Sequence, residues 1–407
     1  MNQLFSRQNL PLVIPALIAG VAIPLSTALI NIGTGLVVLA ALAMLYTPQG
    51  RSHLVQAFRQ PFVIGCLALY AMFVLGMLWT AEPATAGVHM LGKMRPYLLA
   101  PLIFAACSTR AARQALLGGF TAAALLSAVV SIASGLAQHP VMKGMPGDYT
   151  VFQTHTYHNT FLALVACGIL AFWLAGRIPP AWRKVSALVF VVCVVDILFF
   201  VSGRTAQGIL LLLLAALVVM WQGRRGVIFA LAGLAIALPA LYFGSNVIRK
   251  GIERVQVDVS QYQQGNAETS VGLRFYFWQH AVILIKQAPW LGHGTGSYEK
   301  QYRELTQQYK GEFARANPHS DYLWLWAELG IGGVLLLLFM QGTLAVQAYR
   351  LPAPERWVGW TLCLCYASST VANSFFTDNV TGTPYVLLGC ALTAGRWLSR
   401  EPEAAKA

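Results

Sequence analysis

Residues 204–244 read RTAQGILLLLLAALVVMWQGRRGVIFALAGLAIALPALYFG: two long apolar runs on either side of a short polar turn that holds Arg224 and Arg225. Each run is close to the roughly 20 residues an α-helix needs to cross a bilayer. Neither has a polar face, so neither can lie half in water against a soluble core. The stretch predicts two membrane spans joined by a tight basic loop.

The same signal repeats outward from that pair. Further apolar runs lie near 10–29, 31–47, 62–80, 95–107, 114–137, 157–176, 185–202, 321–349, 357–376 and 382–398. Of the 407 residues, 57% are hydrophobic and only 11% charged, against about 25% charged in soluble domains. The expected fold class is all-α: a polytopic membrane protein with about twelve transmembrane helices, in a single transmembrane domain over 1–407. Residues 1–9 carry only Arg7, and no small-residue cleavage site follows the first run, so that run reads as a retained span.

Charge orients the chain. Arg51, Arg59, Arg110, Arg113, Arg177, Arg183, Lys184, Arg224, Arg225, Arg350 and Arg356 all fall in alternate short loops. The opposite loops hold only Lys93, Arg95, Lys143 and Arg204. Positive residues stay inside, so both termini are expected in the cytoplasm. The net charge of +13 then reports topology, and no nucleic-acid site follows from it. Seven cysteines, an odd number with no CxxC pair, support neither a disulfide framework nor a zinc site.

One segment breaks the up-and-down pattern: a polar loop over 245–320, between the predicted ninth and tenth helices and on the periplasmic side of this topology. Ile248, Ile252, Val255, Val259 and Tyr262 form one apolar stripe at helical spacing. That predicts an amphipathic helix at the bilayer surface, with Arg249, Lys250 and Arg254 toward headgroups. Tyr298, Tyr302, Leu305 and Tyr309 predict a second. Between them, VGLRFYFWQHAVILIKQ is apolar but interrupted.

The chemistry is bounded first by what is missing. There is no GxxxxGK[ST] loop, so ATP hydrolysis is not indicated. GHGTGS at 292–297 follows no strand and reads as a tight turn. The outer acids are scattered and offer no convergent oxygen set for a hard cation, so no metal and no other cofactor is expected. What remains is cationic and imidazole groups at span ends. Arg204 opens a span, Arg274 sits in an apolar stretch where snorkelling explains little, and Lys93 and Arg95 form a second basic pair. In ANPHSDYLWLWAELGIGG at 316–333, Asn317 is expected to cap a helix with Pro318 at its first position. His319 then falls in the first turn, where the helix N-terminus disfavours imidazolium and leaves the ring available as a base. Glu328 lies two turns below Asp321 as an intramembrane carboxylate, a functional candidate or a partner for a buried polar group.

These residues resemble a family. HSDYLWLWAELGIGG is similar to the signature of the O-antigen ligase and polymerase superfamily. RFYFWQHAVILIKQAPWLGHGTGSY resembles its companion motif, with Arg274 and Trp278. SGRTAQG resembles its mid-chain arginine, and TYHNTFLAL, with His158 and Asn159, a further segment. The resemblance implies a GT-C-like glycosyltransferase of the Gram-negative inner membrane, working on the periplasmic face. Its donor would be an undecaprenyl-pyrophosphate-linked glycan and its acceptor lipid A–core oligosaccharide, among membrane lipids. At this length, with one long loop, the chain is most similar to the ligase. A polymerase joining lipid-linked repeats is the alternative, and a transporter or flippase of lipid-linked glycans is a rival from another class. The resemblance makes His319, Arg274 and Arg204 catalytic. Lys93, Arg95, His158, Asn159, Trp278, Asp321 and Glu328 would bind substrate. Guanidinium groups would stabilise the departing pyrophosphate, and the transfer would be metal-independent and inverting.

Overall fold

A computed structural model describes residues 10–307 and 317–398. Among them every regular element is helical, apart from one isolated bridge between Met145 and Asp148. In chain order the helices are α1 (Leu10–Leu25), α2 (Thr27–Met44), α3 (Pro48–Ala57), α4 (Pro61–Gly76), α5 (Val88–Ala106), α6 (Arg110–Leu136), α7 (His155–Leu174), α8 (Arg183–Val195), α9 (Arg204–Gln222), α10 (Arg224–Gly244), α11 (Asn246–Gln263), α12 (Ser270–Gln287), α13 (Tyr298–Leu305), α14 (Asp321–Tyr349), α15 (Glu355–Ser369) and α16 (Asn379–Leu398). Asp196–Phe200 prolong α8 as a π-helical turn.

A helix stands on each of the twelve apolar stretches. Among the described residues, six of the helices (α2, α6, α7, α9, α10 and α14) are individually long and apolar enough to cross a membrane. The number rises to seven if α3 and α4, bent by 69°, count as one span. Much of the shortfall against twelve is length: α1, α4, α8 and α15 have 16, 16, 13 and 15 residues. Hydropathy runs count apolar loop residues that do not continue the helix.

Packing sorts the helices into centre and rim. In α7, 61% of the apolar window is buried, against 6% in α10. The outward apolar surface of α10, with Ile228, Leu231, Ile236 and Phe243, is that of a helix bathed in lipid. Small residues set the closest approaches. A Cβ on Gly20 of α1 would stand 2.0 Å from the Leu116 carbonyl of α6, and one on Gly119 would stand 2.6 Å from the Leu17 carbonyl. All seven cysteines are buried and unpaired with one another.

The segment after α10 folds as expected in part. The apolar stripe lies on one helix, α11. VGLRFYFWQHAVILIKQ lies within the single helix α12, whose N-cap Thr269 accepts a bond from the Gly272 N–H. Tyr298 and Tyr302 are buried on α13, while Tyr309 lies outside the described residues.

α14 is one element by its bounds but not by its backbone. Gly330 has φ 64° and ψ −166°, which breaks the helical hydrogen-bond ladder. Residues 289–298 close that break. His293 N–H donates to Ala327 O at 2.9 Å, Gly294 N–H to Glu328 O at 2.8 Å, and Ile331 N–H to Pro289 O at 3.1 Å. The buried Glu328 carboxylate adds two acceptors, for the N–H groups of Gly296 (3.1 Å) and Tyr298 (3.3 Å). Thr295 Oγ1 donates to Phe73 O at 2.6 Å, which ties the same turn to α4. Irregular backbone within an apolar helix bundle persists only where such partners exist. Glycine is required at the turn: Gly294 has φ 94°, and a Cβ there would stand 2.5 Å from Thr80 Cα. Glu328 is thus a partner of the backbone.

Candidate functional site

A cavity of about 680 Å³ opens among the N-terminus of α7, the turn at 145–149, the start of α9, α11 and α12. Four cations line it (Arg204, Lys250, Arg254 and Arg274) against two carboxylates, Asp148 and Asp258, an excess of 4 − 2 = +2 before any histidine is counted. Such a concave, cationic space is suited to an anion.

Its centre is a pair of guanidinium groups. Arg204 Nη2 donates to Ser270 Oγ at 3.0 Å, and Arg274 Nη1 donates to the same oxygen at 3.1 Å. Asp258 Oδ2 stands 3.6 Å from Arg204 Nη1. Burial pushes the Arg274 guanidinium below its ordinary value, and the neighbouring Arg204 charge pushes the same way, while Asp258 opposes. Arg204 Nη1 and Arg274 Nε are buried donors with no hydrogen-bond acceptor. Buried donors left unbonded cost about 1–3 kcal/mol each, more when charged, so these two mark a place where an acceptor is wanted.

The local fold explains the placement. Gly203, at φ 143°, turns the chain into α9 so that Arg204 opens the helix at the cavity wall. Asn159 Nδ2 donates to Ser202 O at 3.2 Å, and Gln207 Nε2 to Ile197 O at 3.1 Å and Val201 O at 3.2 Å. Gly251 lets α11 approach: a Cβ there would stand 3.2 Å from Arg204 Cγ.

The other expected residues lie elsewhere. His319 does not line this cavity. It is not in the first turn of α14 either, because that helix begins at Asp321 with Ser320 as N-cap. Asn317 does not cap the helix; its Oδ1 accepts the His319 N–H at 2.8 Å and Ser374 Oγ at 3.2 Å. His319 has φ 48°, in the left-handed region, and its ring lies 6.0 Å from that of Phe277 on α12. Trp278 Nε1 donates to Pro318 O at 2.9 Å, so the tryptophan tethers the histidine's loop to α12. Lys93 lies over the Trp324 ring at 5.9 Å, and Arg95 donates to Asn31 Oδ1 at 2.7 Å; neither lines the cavity. His158 is buried between Ser127 Oγ (3.1 Å) and Asp196 Oδ2 (2.6 Å). Asn159 is a backbone clamp, and Asp321 accepts from Phe376 N–H at 2.6 Å and from Thr377 Oγ1. Among the described residues no three of His, Cys, Asp and Glu are grouped to hold a metal ion.

Lys250 and Arg254 are corrections of another kind: they line the cavity where headgroup contacts are expected, and only Arg249 turns away, to Asn246 and Glu253. Their spacing with Asp258, four and four, puts the three on one helical face and is the signal that finds them. Asp148 and His155 carry no comparable signal, since each stands alone in a loop or at a helix start.

Two comparisons bear on this geometry. The chain is 30% identical over 122 residues to an uncharacterized protein of Haemophilus influenzae, a match covering 29% of this chain and 31% of that protein. The chain therefore matches about a third of that relative's length. A family model described as O-antigen ligase matches residues 189–338, which take in Arg204, Arg274, the 289–298 turn and His319. Over those residues the chain is similar to the O-antigen ligase family.

Proposed function

We propose that this protein is an O-antigen ligase. It takes a glycan from undecaprenyl pyrophosphate and joins it to lipid A–core oligosaccharide at the periplasmic face of the Gram-negative inner membrane. The observation that carries this is the Arg204–Arg274 pair, two partly buried guanidinium groups sharing one serine and each keeping a buried donor unbonded. A pyrophosphate diester supplies the missing acceptors, and planar guanidinium forks match its oxygens two at a time. As the sugar–phosphate bond breaks, its electron pair goes to the bridging oxygen. Fixed cations at that oxygen lower the barrier without a resident metal. The acceptor hydroxyl attacks the anomeric carbon from the opposite side, which inverts it, and His319 takes the proton. General-base help of this kind contributes about 10²–10⁴-fold. The donor carries its own driving force, so no ATP is consumed.

The test is purified protein with lipid-linked glycan and two competing acceptors, core lipid and a second lipid-linked repeat, in EDTA. Transfer to core lipid is expected. Transfer only to the second repeat would make the protein a polymerase, and no transfer to either would end the proposal.

A further inference from the structure

The cavity holds a titratable pair that this mechanism leaves unused. His155 opens α7 on the cavity wall, with Nδ1 3.2 Å from Asp148 Oδ2. Asp148 is itself fixed: Oδ2 accepts from Ser202 Oγ at 2.6 Å, and Oδ1 faces the N–H groups of Thr150 and Ser202, each at 3.4 Å. Burial raises the Asp148 carboxyl, but the bonds from His155 and Ser202 together outweigh it and hold the group below the usual carboxylate range. The imidazole edge lies beside the turn that presents Arg204, since a Cβ on Gly203 would stand 3.5 Å from His155 Cδ2. The side chain is 45% exposed, and Asp148 is the ring partner found among the described residues.

The company this ring keeps decides its side of the reacting sugar. In an inverting displacement the leaving group and the proton acceptor flank the ring from opposite faces; in inverting hydrolases the two catalytic groups stand about 6.5–9.5 Å apart. His155 shares its cavity with both arginines, whereas His319 does not line it. We propose that His155, oriented by Asp148, is a third ligand of the donor's pyrophosphate, taking up a proton as the diester binds and donating its Nε2–H to a phosphate oxygen beside Arg204 and Arg274. This rests on the cavity being the pyrophosphate subsite. The charged groups lining the cavity with the ring are Asp148 on the 145–149 turn, Arg204 on α9, Lys250, Arg254 and Asp258 on α11, and Arg274 on α12. A bound diester adds two negative charges to that set, so ligand and proton bind together, each favouring the other to the same degree.

The probe is a soluble P1,P2-dialkyl pyrophosphate, whose oxygens do not titrate near neutral pH, bound to the full chain in detergent. Wild type is expected to bind it about tenfold more tightly at about pH 5.5 than at about pH 8, either side of the ordinary imidazole value of about 6.5. His155→Gln should bind at the weaker level with no pH slope. Asp148→Asn should still bind with a pH slope, which a misfolded variant would not give. An unchanged slope in His155→Gln overturns the inference. Arg274→Ala separates the two levels: if it loses binding while His155→Gln keeps the wild-type slope, only the imidazole's role falls. If Arg274→Ala binds as wild type, the cavity is not the pyrophosphate site and both fall.

Discussion

Arg274 offers a fork where a lysine offers a point. Its Nη1 bonds Ser270 while Nε stays buried and unbonded, so the side chain can bond the serine and an anion at once. Arg274→Lys should therefore lose transfer nearly as completely as Arg274→Ala, on the order of a hundredfold or more, measured as initial rate at saturating donor. Recovery of most activity by lysine would reduce the residue to a diffuse positive field. His319 sits at φ 48°, a conformation that costs a non-glycine residue of order 1–3 kcal/mol and persists where surroundings enforce it. Asparagine tolerates that region. His319→Asn should fold normally, bind the dialkyl pyrophosphate as wild type does, and fail in transfer. Near-normal turnover would remove the histidine from the reaction. Asp148 gives the acid limb of stability. Its folded carboxyl lies below the ordinary value of about 3.9, so its contribution is present above that value and lost as pH falls through the folded one. Asp148→Asn should flatten the loss of thermal stability on acidification; an unaltered acid limb would show that the bonds to His155 and Ser202 do not hold the charge.

At the scale of elements, the sequence speaks clearly where burial in lipid is the determinant. The runs read at 204–222 and 321–349 coincide with α9 and α14, and the run at 226–244 with all but the first two residues of α10. Hydropathy is blind to φ and ψ, and for that reason it misses the break at Gly330, which lies inside an unbroken apolar run. The cap is missed for a different reason: Asn317 bonds its neighbour's N–H locally, and the helix starts four residues later. Half of the cavity is legible, since Arg204 and Arg274 stand out as charges in apolar contexts. Its Asp148–His155 side is not, because tertiary folding alone joins those two residues to α9. Glu328 tests the element-level account. Glu328→Ala leaves the N–H groups of Gly296 and Tyr298 without their acceptor, at about 1–3 kcal/mol each. Thermal unfolding in detergent should drop accordingly, while residual folded protein still binds the pyrophosphate probe. Unchanged stability would mean water replaces the carboxylate.

The whole molecule has one face that gathers its special features: the α11–α13 segment, the cavity, and the turn closing the α14 break. From the charge asymmetry we propose that this face is periplasmic. A reporter inserted near Gln264, at the exposed end of α11, should be active only as a periplasmic enzyme. Activity as a cytoplasmic enzyme would invert the topology and move the reaction to the other leaflet.

The hydrogen bonds across Gly330 have a consequence for anyone recombining such proteins. They divide the chain after α10 into an exchangeable cassette and a piece of chassis. Residues 246–287 carry three of the cavity's four cations, Lys250, Arg254 and Arg274, and swapping them alone should yield monodisperse chimeras with altered binding of the pyrophosphate probe. Residues 289–298 belong instead with Gly330 and Glu328, seated far downstream. A crossover placed between those two groups should give aggregated protein on size exclusion, and carrying both from one parent should restore it.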